Sequence, residues 1–266
     1  MRIGMVGLGK MGGNMTQRLL KGGHEVVVTD LNPQFVQNGV DMGAIGANNL
    51  AELVQHLPSP RVVWVMIPAG DPTEKTIFQI ADLLSADDII IDGGNSNYKD
   101  SVRHGQMLQA RDIHFVDVGT SGGVWGLENG YSLMIGGDEK AVESLRPIFE
   151  TLAPAPNLGW GRVGGVGSGH FVKMIHNGIE YGMMQAFAEG FAIMQAKTDF
   201  DLNMGEIAHI WQHGSVVRSW LLDLIADALL QDQKLEDIAA FVPDSGEGRW
   251  TVFEAIDLNV SAPIIT

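Results

Sequence analysis

The 266-residue chain contains no cysteine, which excludes disulfides and thiolate metal sites and favours a cytoplasmic setting. Cations are scarce: 17 Lys and Arg stand against 32 Asp and Glu, a net charge of −15. So acidic a chain repels nucleic acid and anionic membrane, and neither is expected as a partner. It can still bind an anion if its few cations gather in one place. Eighteen uncharged apolar residues never occur in succession, so no membrane-spanning helix is expected. The opening Met-Arg-Ile-Gly-Met-Val-Gly lacks the long apolar stretch and cleavage site of a secretion signal, and reads as a first strand. With 45 % hydrophobic residues, the chain can build one large domain or two modest ones.

Short β-rich runs at 2–6, 25–29, 62–67, 89–91, 114–118 and 132–135 alternate with helical patterns at 12–21, 48–55, 73–84, 101–110 and 139–150. Such alternation predicts a parallel sheet covered by helices on both faces. Residues 151–169, rich in glycine and proline, mark a boundary. Beyond it the pattern is helical, at 169–197, about 203–213 and 215–230. The expected architecture is α/β: a Rossmann-type doubly wound sheet over 1–165, followed by an all-α domain over 166–266 for substrate and oligomer contacts.

The run Gly7-Leu-Gly9-Lys-Met-Gly12 directly follows the first predicted strand and opens a helix. Alone, a G-x-G-x-x-G pattern is weak, since glycine-rich turns are common. In this context the glycines serve three separate ends. Gly7 permits the tight turn, Gly9 lets a pyrophosphate approach, and Gly12 allows close helix–strand packing. The helix N-terminus would offer free N–H groups to the phosphates. Asp30 ends the second predicted strand, where the fold needs an acid for the adenosine ribose hydroxyls. Its charge would repel a 2′-phosphate and no arginine follows closely, so NAD is expected and NADP disfavoured. The bland reading of Asp30 is a turn residue at a strand end.

Between 169 and 197 only Lys173, Glu180, Glu189 and Lys197 carry formal charge. Lys173, His176, Asn177, Glu180 and Tyr181 fall at i, i+3, i+4, i+7 and i+8, one face of a helix that is otherwise apolar or glycine. A surface helix would spread charge over its outer face, so this one is expected to be largely buried with a narrow polar stripe. The stripe must meet a ligand, a partner or ordered water, because unpaired buried polar groups are costly. Without further context it fits a structural contact as well as a catalytic one. Asn95 and Ser121 follow strands at the carboxyl edge of the predicted sheet, beside Gly93-Gly94 and Gly122-Gly123. Each alone is usually a turn residue; the glycines favour close approach of a ligand.

His209 and His213 have metal-ligand spacing but no glutamate follows the first, so no metal site is read there. Trp211, Trp220, Leu221 and Leu222 are expected in the core.

With the glycine turn, Ile91-Asp-Gly-Gly-Asn-Ser96, Thr120-Ser-Gly-Gly123 and Gly169-His-Phe-Val-Lys-Met-Ile-His-Asn-Gly-Ile-Glu-Tyr181, the sequence resembles the 6-phosphogluconate dehydrogenase family over nearly its whole length. It is similar to that family's short, NAD-preferring bacterial branch. Dehydrogenases of simple 3-hydroxyacids share the glycine turn and a helix lysine followed by Asn, but lack the His-Asn-Gly-Ile-Glu-Tyr continuation. The resemblance implies oxidative decarboxylation of a sugar acid phosphate, with Lys173 as base and Glu180 as acid. Asn95, Ser121, Gly122, Gly123, His176, Asn177 and Tyr181 would hold the substrate. Gly7, Leu8, Gly9, Lys10, Met11, Gly12, Asp30 and again Asn95 would hold NAD. No metal is implied. A base beside the reacting hydroxyl must be neutral, and burial in an apolar helix moves a lysine toward that state.

The sequence departs from the family where longer members grip phosphate with a lysine and a threonine; here Ser245 and Glu247 stand, with Arg249 as a nearby cation. Trp125 occupies a position where longer members carry an acid. The apolar ending 262–266 falls where the family continues into another helix. A homodimer or homotetramer, with each site completed by a neighbour, is therefore expected. Two rival readings are a NAD-dependent 3-hydroxyacid dehydrogenase without decarboxylation and a non-enzymatic dinucleotide sensor.

Overall fold

The computed structural model describes every residue of the chain except Pro243. Its described residues divide into two compact units, Met1–Met174 and Ile175–Thr266.

The first unit is built on an eight-stranded sheet: β1 Arg2–Val6, β2 Glu25–Thr29, β3 Ile45–Gly46, β4 Val62–Val65, β5 Ile89–Asp92, β6 His114–Ser121, β7 Ser132–Gly136 and β8 Trp160–Gly164. The helices between them are α1 Lys10–Lys21, α2 Pro33–Asp41, α3 Leu50–Gln55, α4 Asp71–Ala81, α5 Tyr98–Gln109, α6 Gly126–Asn129, α7 Glu139–Ser144 and α8 Arg146–Leu152. Strand order is β3-β2-β1-β4-β5-β6-β7-β8, so the chain reverses its winding between β1 and β4. The central strands read as unbroken apolar runs because both faces are covered. Ile3, Met5, Val26, Val28, Trp64, Ile89 and Ile91 enter one core cluster. Their alternating neighbours Val6, Val27, Val63, Val65 and Ile90 enter the other.

Two features depart from the sequence-based expectation of an all-parallel sheet ending before a boundary segment. Strand β7 runs antiparallel to β6. Inside the glycine- and proline-rich segment, β8 adds a further strand parallel to β7.

The helix α9, Ser168–Ala196, begins in the first unit and continues into the second. The second unit adds α10 Met204–Trp211, α11 Trp220–Gln231 and α12 Glu247–Asp257. Met204, Ala208, Leu222, Ala226 and Leu229 form its core, with Phe187, Phe191 and Trp211 packed against them. Trp220 and Leu221 depart from the expected core set: they follow the Ser219 cap in the first turn of α11, Trp220 48 % exposed and Leu221 half-buried.

Candidate active site

At the carboxyl end of β1 the backbone of Gly7 turns with φ +91°, and a side chain there or at Gly12 would collide with neighbouring backbone. Gly7 and Gly12 are thus required by the turn itself. Gly9 differs: a methyl group added to it meets nothing within 4 Å, so its face is open. Gly9 is also the N-cap of α1, with no side chain capping the first turn, so the free amides of that turn remain available to an anion. Asp30 closes this loop onto β2. Its Oδ2 accepts from the Leu8 amide at 2.6 Å and its Oδ1 from the Asn32 amide at 2.8 Å. Lys10 is exposed and Met11 half-buried beside them.

Asn95 sits in a left-handed conformation, φ +53°, after β5. Its Nδ2 donates to the Thr120 carbonyl at 3.1 Å and its Oδ1 accepts from the Thr120 amide at 2.9 Å. That clamp ties the loop after β5 to the end of β6 and leaves the amide two of its four hydrogen bonds. Ser121 ends β6, followed by Gly122 at φ +133° and Gly123 at φ +50°. Under Gly122 and Gly126 lies the ring of Tyr131, whose phenol is pushed up to about 12 by burial. Trp125, in the same turn, is exposed.

Lys173 is only 5 % exposed. Its Cβ rests against the backbone of Gly119, where a methyl group would collide with it. Further along α9, His176 Nδ1 lies 3.0 Å from Asn177 Oδ1 and 3.7 Å from Glu180 Oε2. The Glu180 side chain is 40 % exposed, so the two ends of the stripe have different access to water. Glu180 stands seven positions after Lys173 in the sequence of α9. Within the second unit, Tyr181 packs against Gly248 of α12, and Gly178 against Thr251.

At the start of α12, Glu247 is buried and its Oε2 accepts from Ser245 Oγ at 2.7 Å, while Oε1 has no partner among the described residues. Arg249 pairs with Asp244. Among the buried groups of the first unit that sequence reasoning missed is Asp117. Its signal was a lone acid inside the apolar run His114-Phe-Val-Asp-Val-Gly119.

A glycine turn opening a helix beside the point where sheet winding reverses, with an acid ending the second strand, is the construction of a dinucleotide-linked oxidoreductase. The NAD binding domain of 6-phosphogluconate dehydrogenase matches residues 2–161, and the C-terminal domain of the same enzyme matches 169–266. The chain belongs to the 6-phosphogluconate dehydrogenase family. It is 42 % identical over 266 residues to the NAD(+)-dependent, decarboxylating 6-phosphogluconate dehydrogenase of Haloferax volcanii, covering all of this chain and 87 % of that one. The Plasmodium falciparum 6-phosphogluconate dehydrogenase superposes with a TM-score of 0.90 at 28 % identity, over all of this chain and 60 % of that one. A Mycobacterium tuberculosis 3-hydroxyisobutyrate dehydrogenase shares the fold at 20 % identity and a TM-score of 0.81, covering 99 % of this chain and 89 % of that one.

Proposed function

We propose that the protein oxidises and decarboxylates 6-phosphogluconate, using NAD, to give ribulose 5-phosphate and carbon dioxide. The observation that supports this most is a lysine buried to 5 % exposure seven positions before a half-exposed glutamate, in a chain of this family. Gly7, Leu8, Gly9, Lys10, Met11 and Gly12 would hold the pyrophosphate of NAD, and Asp30 and Asn95 its nucleoside ends. The open face of Gly9 and the uncapped first turn of α1 fit that group. NAD supplies an acceptor for the hydride that leaves C3.

Lys173 takes the proton of the C3 hydroxyl as that hydride departs. The resulting β-keto acid breaks its bond to the carboxyl carbon without a metal, because the new carbonyl accepts the electron pair. Lys173 returns its proton to that oxygen to give the enediol, and takes it up again as Glu180 protonates the carbon that lost carbon dioxide. The partial exposure of Glu180 lets it regain a proton from water, while the burial of Lys173 keeps water from the base. Asn95, Ser121, Gly122, Gly123, His176, Asn177 and Tyr181 hold the sugar acid. Residues 1–165 thus form the dinucleotide-binding domain, which also lends Asn95, Ser121, Gly122 and Gly123 to the substrate, and 166–266 serve substrate and assembly.

On the same reading the enzyme works in the cytoplasm as a homodimer or homotetramer. Among the described residues no helix is long and apolar enough to cross a membrane. NADH formation with 6-phosphogluconate, gluconate and 3-hydroxyisobutyrate, with carbon dioxide measured in parallel, tests the assignment. Equal use of the unphosphorylated acids, or NADH without carbon dioxide, would reject it.

A further inference from the structure

Asp117 is fully buried in the middle of β6, yet no step of the proposed chemistry uses it. Its Oδ1 accepts from the Gly167 amide at 2.6 Å and its Oδ2 from the His170 amide at 2.9 Å. Both amides belong to the entry and first turn of α9, where four N–H groups have no partner within the helix. A carboxylate there also matches the positive end of the helix dipole.

The contact is close because glycine occupies both sides. A methyl group on Gly169 would lie 2.5 Å from the Asp117 carbonyl and 2.5 Å from that of Met134. One on Gly136 would lie 2.7 Å from the Gly169 amide nitrogen. Side chains alternate along a strand, so Asp117, Gly119 and Ser121 share one face of β6. Asp117 grips the helix entry, and Gly119 receives the Cβ of Lys173, one turn beyond His170. Ser121 lies at the open end of the same row.

We propose that Asp117 is a positioning residue: by holding the Gly167 and His170 amides it fixes the height and rotation of α9 on β6, and so sets where the Lys173 amine is presented. The inference rests on Lys173 being the base, as proposed above. Asp117 touches no reacting atom and acts through the helix.

The variants Asp117→Asn and Gly119→Ala test it, with Asp138→Asn as a control. Asp138 caps α7 in a similar way, accepting from the amides of Lys140 and Ala141 on an exposed surface. Asp117→Asn keeps the shape but turns an N–H donor toward one of the two amides. We expect kcat to fall about 10–100-fold for this variant, with the KM for NAD within about twofold, as for an interaction needed only in the transition state. Hydrogen exchange should quicken at 167–173 and stay unchanged in β1 and β4. Gly119→Ala should lower kcat in the same manner. Asp138→Asn should lower the melting temperature and leave kcat per folded molecule unchanged.

The proposal is overturned if Asp117→Asn, folded, keeps wild-type kcat. It is equally overturned if its loss of activity merely tracks the loss of folded protein, as a purely structural cap would. Lys173→Met, assayed in parallel, separates the two claims. If it turns over normally the base assignment fails, while faster exchange at 167–173 in Asp117→Asn still establishes the anchor.

Discussion

At the scale of single residues, Asp30 and Lys173 carry the two sharpest expectations. The carboxylate of Asp30 is fixed by the amides of Leu8 and Asn32, and the next side chain, Leu31, is fully exposed. An arginine can therefore replace Leu31 without loss of packing. Asp30→Ser with Leu31→Arg should move the NAD over NADP ratio of kcat/KM toward NADP by about 100-fold, since a charge-assisted hydrogen bond is worth about 1.5–3 kcal/mol. Steady-state kinetics with both cofactors checks this, and an unchanged ratio would remove Asp30 from cofactor choice. Lys173→Met should lower turnover by about 10²–10⁴ while NAD affinity, measured by titration, stays within about twofold. Glu180→Gln should impair the later protonation, so that NADH and carbon dioxide no longer form in step with ribulose 5-phosphate. Lys173 and Glu180 were visible in sequence because polar residues at i and i+7 stand out in an apolar helix. The part of Asn95 was not: its amide spends two hydrogen bonds on the Thr120 backbone, a residue 25 positions away, and no local pattern records such a partner.

At the scale of elements, period and burial made the central strands readable, because a strand covered on both faces is apolar at most positions. Direction is a different matter. The antiparallel β7 carries the same kind of residues as its parallel neighbours, since orientation depends on the path between strands and leaves no mark on either. Strand β8, Trp160-Gly-Arg-Val-Gly164, was hidden by its two glycines, which weaken β propensity. Helix α2 could have been read from Asn32-Pro33, where an N-cap is followed by proline at the first turn. Elements are also joined by charge. Glu74 on α4 is paired with Arg103 on α5, which holds its carboxyl down at about 2 from an ordinary 4.5. A depressed carboxyl stabilises the fold above its unfolded value and loses that contribution as pH falls through the folded one. The benefit should thus be complete above about pH 4.5 and gone near pH 2. Both side chains are more than a third exposed, so water screens the pair and reduces its worth to about 1 kcal/mol or less. Arg103→Met should lower the urea midpoint slightly at pH 7 and leave it unchanged near pH 2 relative to wild type. An equal cost at both pH values would assign the effect to packing of the arginine stem instead.

At the scale of the whole molecule, two opposing forces bear on assembly. A net charge of −15 makes identical chains repel one another. Against this, residues 175–266 leave large apolar side chains in water, among them Ile179, Ile193, Ile210, Leu230, Phe253 and Ile256. They also carry a groove of about 470 Å³ lined by Met184, Phe187, Phe191, Leu221, Leu224 and Ile225. We propose that this exposed apolar surface is an interaction face, with a second copy of the chain as its occupant. A stable pairing buries roughly 800 Å² from each partner. The phosphate of the substrate gives a chemical reason for the same pairing. Near Tyr181, Arg249 is already engaged by Asp244, and Glu247 adds a carboxylate at the start of α12. Cationic help for the phosphate is therefore proposed to come from the partner protomer. Because repulsion is screened over about 10 Å at 0.1 M salt and apolar contact is not, raising ionic strength should strengthen association. Sedimentation across a dilution series at low and moderate salt should show a dimer or tetramer that dissociates first at low salt. The KM for 6-phosphogluconate should rise as the assembly comes apart, while the affinity for NAD holds. A chain that stays monomeric under all these conditions and binds 6-phosphogluconate tightly would refute the shared site.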